Sequence, residues 1–132
     1  MREPVWLSPD LVIAIHEEQL RQFGGPWGLR DQGLLESALG RPRHKYSYGD
    51  DDLAILAAAY GFGLARKHAF IDGNKRIAFL AIVTLLGLNG IEFVVPEPEA
   101  VVMMLAVAAG EVDEEGLARW IGDNWPEQKE SR

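Results

Sequence analysis

The chain has 132 residues, of which 48% are hydrophobic and 25% charged, with no cysteine and a formal net charge of −7, and its pI is near 4.9. This length suits one domain with a single core and is too short for two. The acidic balance excludes a general nucleic-acid binder, which needs a basic face, and the absence of cysteine excludes a disulfide framework and a thiolate metal site.

The N-terminal residues Met1–Pro4 carry no apolar run that suits a signal peptide. The two long apolar segments of the chain are shorter than the roughly 18–20 residues that span a bilayer. We therefore expect a cytoplasmic protein that contacts neither a membrane nor nucleic acid directly. Residues 1–127 are predicted to form a single domain, and residues 128–132 a disordered C-terminal tail.

Two helices are predicted in the first third of the chain from their capping residues. Ser8-Pro9-Asp10 offers an N-cap, a proline for the first turn and an acid for the helix dipole, and Gly24 ends this helix. Its apolar stripe is predicted at Leu11, Ile15 and Leu20. Asp31 is expected to cap a second, short helix, which Gly40-Arg41-Pro42 ends.

Two polar features of this region bear on function. His16 has no second histidine or acid at metal-ligand spacing, so we interpret it as a packed or surface histidine rather than a ligand. The segment Arg43–Gly49 mixes cations with aromatic residues and is predicted to be an exposed loop. It is either a solvated connector or a flap over the site that contacts a substrate.

The rest of the chain is predicted to be mainly helical. Asp50–Asp52 supplies N-terminal charge for a helix over Leu53–Lys67, and a second apolar helix runs from Asn74 or Lys75 to Asn89-Gly90. The part of it from 77 to 88 is apolar nearly all round, which is typical of a central helix. After a short extended segment or small strand at Ile91–Val95, two more helices are predicted, at Glu97–Ala109 and Asp113–Trp125. These elements predict an all-α bundle of about six helices around the central apolar helix.

The candidate site is the polar stretch between the two apolar helices, His68–Arg76 (His-Ala-Phe-Ile-Asp-Gly-Asn-Lys-Arg). The first backbone N–H groups of a helix have no intrahelical partner and bind anions. A permissive glycine, an amide and two cations surround this helix start: Gly73, Asn74, Lys75 and Arg76. This combination suits a polyphosphate.

Two further side chains of the stretch complete a possible reaction centre. Asp72 stands just before the anion site, where a carboxylate can bind a Mg²⁺ ion that takes phosphate oxygens as its other ligands. His68 can accept a proton near neutral pH and is the candidate general base. Together they predict transfer of a phosphate-containing group to a hydroxyl. The residues alone leave open a structural alternative, a capped turn between two helices.

The stretch closely resembles the Fic/Doc motif, His-x-Phe-x-(Asp/Glu/Asn)-(Gly/Ala)-Asn-(Gly/Lys)-Arg. The Doc (death-on-curing) branch is the nearer one, because Ala69 replaces the proline common in Fic motifs and because Gly28–Pro42, Asn89-Gly90 and Ala108–Glu111 also look like that branch. The resemblance implies a compact all-α fold. It also implies the toxin of a type II toxin–antitoxin pair with a Phd-like antitoxin.

The resemblance implies a reaction that uses ATP and Mg²⁺. Most Fic enzymes transfer AMP to a hydroxyl, whereas Doc-like members phosphorylate a threonine of elongation factor Tu and so block translation. Lys75 favours the kinase, because AMP-transferring members usually have glycine there. By position, the resemblance implies a base at His68, a Mg²⁺ ligand at Asp72, a catalytic role for Arg76, and phosphate contacts from Gly73, Asn74, Lys75 and Arg76.

Two alternatives to the kinase are an AMP transferase and a catalytically silent co-repressor that only binds its antitoxin. Many Fic proteins block their own site with a (Ser/Thr)-x-x-x-Glu-(Gly/Asn) helix. Here Glu115-Gly116 supplies the second half of that string, but Glu111 occupies the Ser/Thr position. We therefore expect restraint in trans, from an antitoxin peptide in a groove near the loop.

Overall fold

A computed structural model describes residues 3–126 of the protein. Its six helices are α1 (Pro9–Phe23), α2 (Gln32–Ser47), α3 (Leu53–Lys67), α4 (Asn74–Leu88), α5 (Glu97–Ala108) and α6 (Glu114–Asp123). Within these residues the only β-type pairing is an isolated antiparallel bridge between Leu29 and Phe70, so the predicted all-α architecture is confirmed. Across the same range, no helix combines the length and the apolar character that crossing a membrane requires. The predicted tail at 128–132 lies outside the described residues.

Side-chain caps begin four of the helices close to where the sequence predicts. Each cap accepts a hydrogen bond from a backbone N–H in the first turn: Ser8 from Leu11 at 3.1 Å, Asp31 from Leu34 at 3.0 Å, Asp52 from Ala54 at 2.9 Å and Asp113 from Gly116 at 2.8 Å. Such caps satisfy N–H groups that have no partner within the helix. Local chemistry therefore fixes these four helix starts.

The central helix of the bundle is α3, whereas the sequence predicted a central position for the segment 77–88 of α4. Ten of the 15 residues of α3 are buried, against seven of 15 in α4. α3 packs against α2, α4, α5 and α6, while α4 packs against α1, α3 and α5. The physical reason is side-chain size, since alanines and glycines let neighbours approach α3 closely: a Cβ added at Gly61 would lie 2.6 Å from Ile82 Cδ1.

The second helix is longer than predicted, which corrects two expectations. α2 does not end at Gly40-Arg41-Pro42 but continues to Ser47 with Pro42 buried inside it. Of the predicted loop Arg43–Gly49, residues 43–47 are therefore helical, and only Tyr48 and Gly49 form an exposed turn. Proline removes one helical hydrogen bond, but Arg41 and Lys45, one turn apart, both reach Glu114 at the start of α6. These contacts hold the last turn against α6, so it is neither a free connector nor a flap.

The segment between α4 and α5 forms no strand, because residues 91–96 pair with no other strand in the described part of the chain. The buried side chain of Phe93 anchors it, with its ring edge-on to Trp120 at 5.8 Å between centroids. The last two helices end at Ala108 and Asp123, one and two residues before their predicted ends.

Candidate active site

The site begins where α3 ends, at His68. This residue has a left-handed backbone (φ 54°, ψ 50°), which stops the helix and turns the chain into the loop. The Arg30 side chain donates from Nε to the His68 carbonyl at 2.8 Å and from Nη2 to the Lys67 carbonyl at 3.5 Å. These bonds satisfy carbonyls that lack partners at a helix C-terminus. The His68 imidazole itself is exposed to solvent.

A strap formed by residues 28–31 holds the outer side of the loop. Arg30 and Asp31 donate their backbone N–H groups to the Ala69 carbonyl at 2.7 and 3.0 Å, and Ile71 donates to Gly28 at 3.1 Å. Gly28 has φ +152°, and a Cβ there would lie 2.6 Å from Ile71 Cδ1. Glycine is therefore required for the strap to approach the loop so closely.

The centre of the loop is closed by Asn74 and anchored by Phe70. The Asn74 amide accepts from the Phe70 N–H at 3.0 Å and donates to the Phe70 carbonyl at 2.9 Å, and both residues are buried. The buried Phe70 side chain anchors the loop in the core. The Asn74 side chain thus bonds within the loop and is not free for the phosphate contact predicted for it.

His16 packs against the inner side of the loop, as the interpretation of it as a packed histidine requires. Its side chain is 2% exposed, its ring stacks on Phe70 with centroids 4.0 Å apart, and its Nε2 lies 2.8 Å from the Asp72 carbonyl. Sequence reasoning missed this contact with the site. A usable signal was the spacing of His16 from Val12, since residues four apart share a helix face and both are the buried residues of α1.

Four of the predicted site residues line one wall of a groove of about 560 Å³ beside the loop. They are Asp72, Gly73, Lys75 and Arg76. The rest of the groove comes from α1, from α4, from Val95 and from α5: Gln19, Phe23, Phe79, Leu80, Val95, Glu97, Ala100, Val101, Met104 and Leu105. The structure thus brings the anion-site residues and Asp72 together. His68 does not line this groove, and neither does the buried Asn74.

The start of α4 has the chemistry of an anion site. Its N-cap is Gly73 with φ 79°, and no side chain caps its first turn, so the backbone N–H groups of that turn stay available. Lys75 and Arg76 are exposed and add two positive charges. The Arg76 guanidinium lies 4.8 Å from the centre of the Phe23 ring, a cation–π contact that holds it at the groove.

The carboxylate of Asp72 sits beside this site with room around it. Gly25 has φ +117°, and a Cβ there would lie 3.2 Å from Asp72 Oδ2. Within residues 3–126, no cluster of three histidine, cysteine or acidic side chains could hold a metal ion alone. One carboxylate beside an anion site fits Mg²⁺, which keeps its waters and takes phosphate oxygens as further ligands.

Comparison with known proteins agrees with this geometry. The sequence model described as the Fic/DOC family matches residues 6–86. The chain is 33% identical over 113 residues to the protein kinase Doc of Escherichia phage P1, covering 85% of this chain and 89% of that protein. It is 47% identical over 73 residues to the toxin Doc of Mycolicibacterium smegmatis, covering 53% and 55% of the two chains. The chain therefore belongs to the Fic/Doc family, on its Doc branch.

Proposed function

We propose that this protein is the toxin of a type II toxin–antitoxin pair and a Doc-like kinase, which transfers the γ-phosphate of ATP to a threonine hydroxyl of elongation factor Tu and blocks translation. The observation that carries the proposal is the start of α4, where uncapped N–H groups, two cations and one carboxylate line the same groove. The names of the two relatives, one a protein kinase and one a toxin, support it.

The proposal gives the reactive residues of the motif the following roles. The exposed His68 imidazole would accept the proton of the acceptor hydroxyl. Lys75 and Arg76, with the first N–H groups of α4, would hold the phosphates. Asp72 would hold Mg²⁺, which when bound neutralises charge on the phosphate oxygens.

Lys75 favours phosphate transfer over AMP transfer. Its side chain lies at the groove wall beside the N-cap glycine of α4, where a glycine would leave the backbone open to a phosphate. The ammonium adds charge and bulk at this point, which favours presentation of the terminal phosphate. AMP transfer is the alternative reaction, and the mass of the modified target distinguishes the two.

Intact-mass analysis of elongation factor Tu after incubation with the protein, ATP and Mg²⁺ tests the reaction. We expect a gain of one phosphate with release of ADP, and no gain with His68→Ala. His44→Ala is the matched control, because His44 is an exposed histidine on α2 away from the loop, and it should act like wild type. A gain of AMP with release of pyrophosphate would establish the alternative, and no gain from folded protein would contradict both.

We also infer that a Phd-like antitoxin restrains the protein by laying a peptide into the groove. Three apolar side chains of the groove are at least half exposed: Phe23 (61%), Val101 (51%) and Leu105 (50%). With Lys75 and Arg76 at the same groove, this surface suits an amphipathic segment that carries acidic residues. A peptide there would cover the start of α4.

A pair of valine and leucine variants on α5 tests this inference. Leu105→Asp should weaken antitoxin binding, because it places a charge in the apolar groove. Val102→Asp should not, because Val102 is 67% exposed and does not line the groove. Equal affinity of both variants for the antitoxin would contradict this docking site. Harmless expression of the folded protein without antitoxin would contradict restraint in trans.

A further inference from the structure

We propose that His16, which lies outside the motif, is a positioning residue for the metal-binding carboxylate of Asp72. The imidazole fixes the backbone of Asp72 and so sets where its carboxylate stands at the groove. The inference rests on the proposed function only in that Asp72 serves a Mg²⁺-dependent reaction. The contact itself belongs to the fold and can be measured without any reaction.

The hydrogen bond fixes the tautomer of His16. The Asp72 carbonyl oxygen can only accept, so His16 Nε2, 2.8 Å away, must carry the proton and donate. The ring is 2% exposed and lies against Phe70, with 17° between the two ring planes. A buried donor in a packed position is costly to replace, because water cannot take over its bond.

The geometry of the loop makes this bond close and specific. A Cβ added at Gly73 would lie 3.5 Å from His16 Nε2, so the ring also lies close to the residue that follows Asp72. On the other side of the loop, the backbone is held by the bond from Ile71 to Gly28 at 3.1 Å. Asp72 thus stands between an outer support and an inner one, and His16 is the inner one.

The Asp72 carboxylate depends on this support. Within the described part of the chain its oxygens make no hydrogen bond, and the side chain is exposed. The position of the carboxylate is therefore set by its own backbone. Residues that orient a metal ligand from behind typically change metal affinity or activity about 10–100-fold when they are mutated.

Three substitutions separate the hydrogen bond from simple packing. His16→Gln can place an amide N–H near the position of Nε2, whereas His16→Asn places one near Nδ1, which faces away from Asp72. His16→Phe keeps an aromatic ring against Phe70 but removes the donor. A structural role alone predicts that phenylalanine is tolerated best, and a positioning role predicts that glutamine is.

The measurement is the Mg²⁺ concentration that gives half-maximal ATP binding by calorimetry and half-maximal phosphate transfer. We expect His16→Asn and His16→Phe to need about 10-fold more Mg²⁺, to regain activity in excess Mg²⁺, and to bind ATP normally once saturated. His16→Gln should remain near wild type. Equal Mg²⁺ requirements for the glutamine and asparagine variants would overturn the proposal, and this comparison decides it even if His16→Phe fails to fold.

A nuclear magnetic resonance measurement of the His16 ring nitrogens tests the hydrogen bond from His16 to the Asp72 carbonyl independently of activity. A proton on Nε2 with slow exchange supports the proposal, and a proton on Nδ1 alone overturns it. If wild-type protein transferred phosphate to no target, the proposed function would fail. The ring tautomer and the Mg²⁺ dependence of ATP binding would still decide the role of His16.

Discussion

At the scale of single residues, the position of the candidate base depends on an arginine from another part of the chain. His68 has a positive φ, which costs a residue with a side chain about 1–3 kcal/mol and therefore needs support from its surroundings. Arg30 supplies it by binding the carbonyls of His68 and Lys67 at the end of α3. Its charge also complements the negative end of that helix.

Removing this support should affect both folding and transfer. We expect Arg30→Ala to lower the free energy of unfolding by about 1 kcal/mol, the value of a typical hydrogen bond. It should also lower kcat about 10-fold, since a misplacement of about 1 Å can cost up to about 100-fold. Urea unfolding and the transfer assay measure the two effects.

Arg21→Ala is the control for this substitution. Arg21 is also an exposed arginine, and among residues 3–126 its one ion pair is with Glu18, one turn away on α1. Exposed pairs of this kind contribute about 0–1 kcal/mol, so its loss should leave kcat unchanged. Equal effects of the two variants on kcat would show that Arg30 does not position His68.

At the scale of the helices, the sequence predicts those helix ends that are set by residues within one turn of them. The caps at Ser8, Asp31 and Asp113 act within one turn of their own helices, and the starts of these helices were predicted correctly. The end of α2 was missed because its last turn is held by Glu114, which lies 73 residues after Arg41. Contacts between distant parts of the chain leave no local pattern.

The candidate site likewise combines residues that a local sequence pattern identifies with residues that come from distant parts of the chain. The motif residues that line the groove lie within one short stretch of the chain, from Asp72 to Arg76, and all of them were among the predicted site residues. His16 and Arg30 contact the same loop from 56 and 38 residues away. The spacing of His16 from Val12 indicates only a buried helix face, so the fold is needed to show that His16 and Arg30 contact this loop.

Substitution of two glycines, one where α3 packs against α4 and one on α2, is predicted to change the free energy of unfolding in opposite directions. Gly61→Ala places a Cβ 2.6 Å from Ile82 Cδ1 and 2.9 Å from Cγ1, and such overpacking costs about 1–3 kcal/mol. Gly40→Ala on α2 meets nothing within 4 Å and should stabilise by up to about 1 kcal/mol through helix propensity. Urea unfolding of both variants tests this, and a stabilising Gly61→Ala would contradict the close approach of the two helices.

At the scale of the whole molecule, the N-terminal segment from Val5 to Leu7 connects the end of α4 to the central helix α3. Val5 exchanges two hydrogen bonds with the Asn89 side chain just after α4, at 2.8 and 3.0 Å. Leu7 donates its backbone N–H to the hydroxyl of Tyr60, the buried tyrosine of α3, at 3.0 Å. The segment therefore joins α3 and α4, the two helices that carry the candidate loop.

This tie predicts a loss of stability in alkaline solution. Burial raises the pKa of Tyr60 above its ordinary value of 10.0, although the Leu7 N–H and Arg43 act in the opposite direction. As the pH rises, the Tyr60 hydroxyl therefore loses its proton in the unfolded chain before it does so in the folded protein. The contribution of Tyr60 to the free energy of unfolding is complete below pH 10 and declines as the pH rises further. Tyr60→Phe should be about 1–3 kcal/mol less stable than wild type at neutral pH, because the Leu7 N–H loses its acceptor, and this gap should narrow above pH 10. Urea unfolding between pH 7 and 11 measures this difference in the free energy of unfolding, with the exposed Tyr48→Phe as control. A difference that stays the same at every pH would mean that unfolding does not change the ionisation of Tyr60.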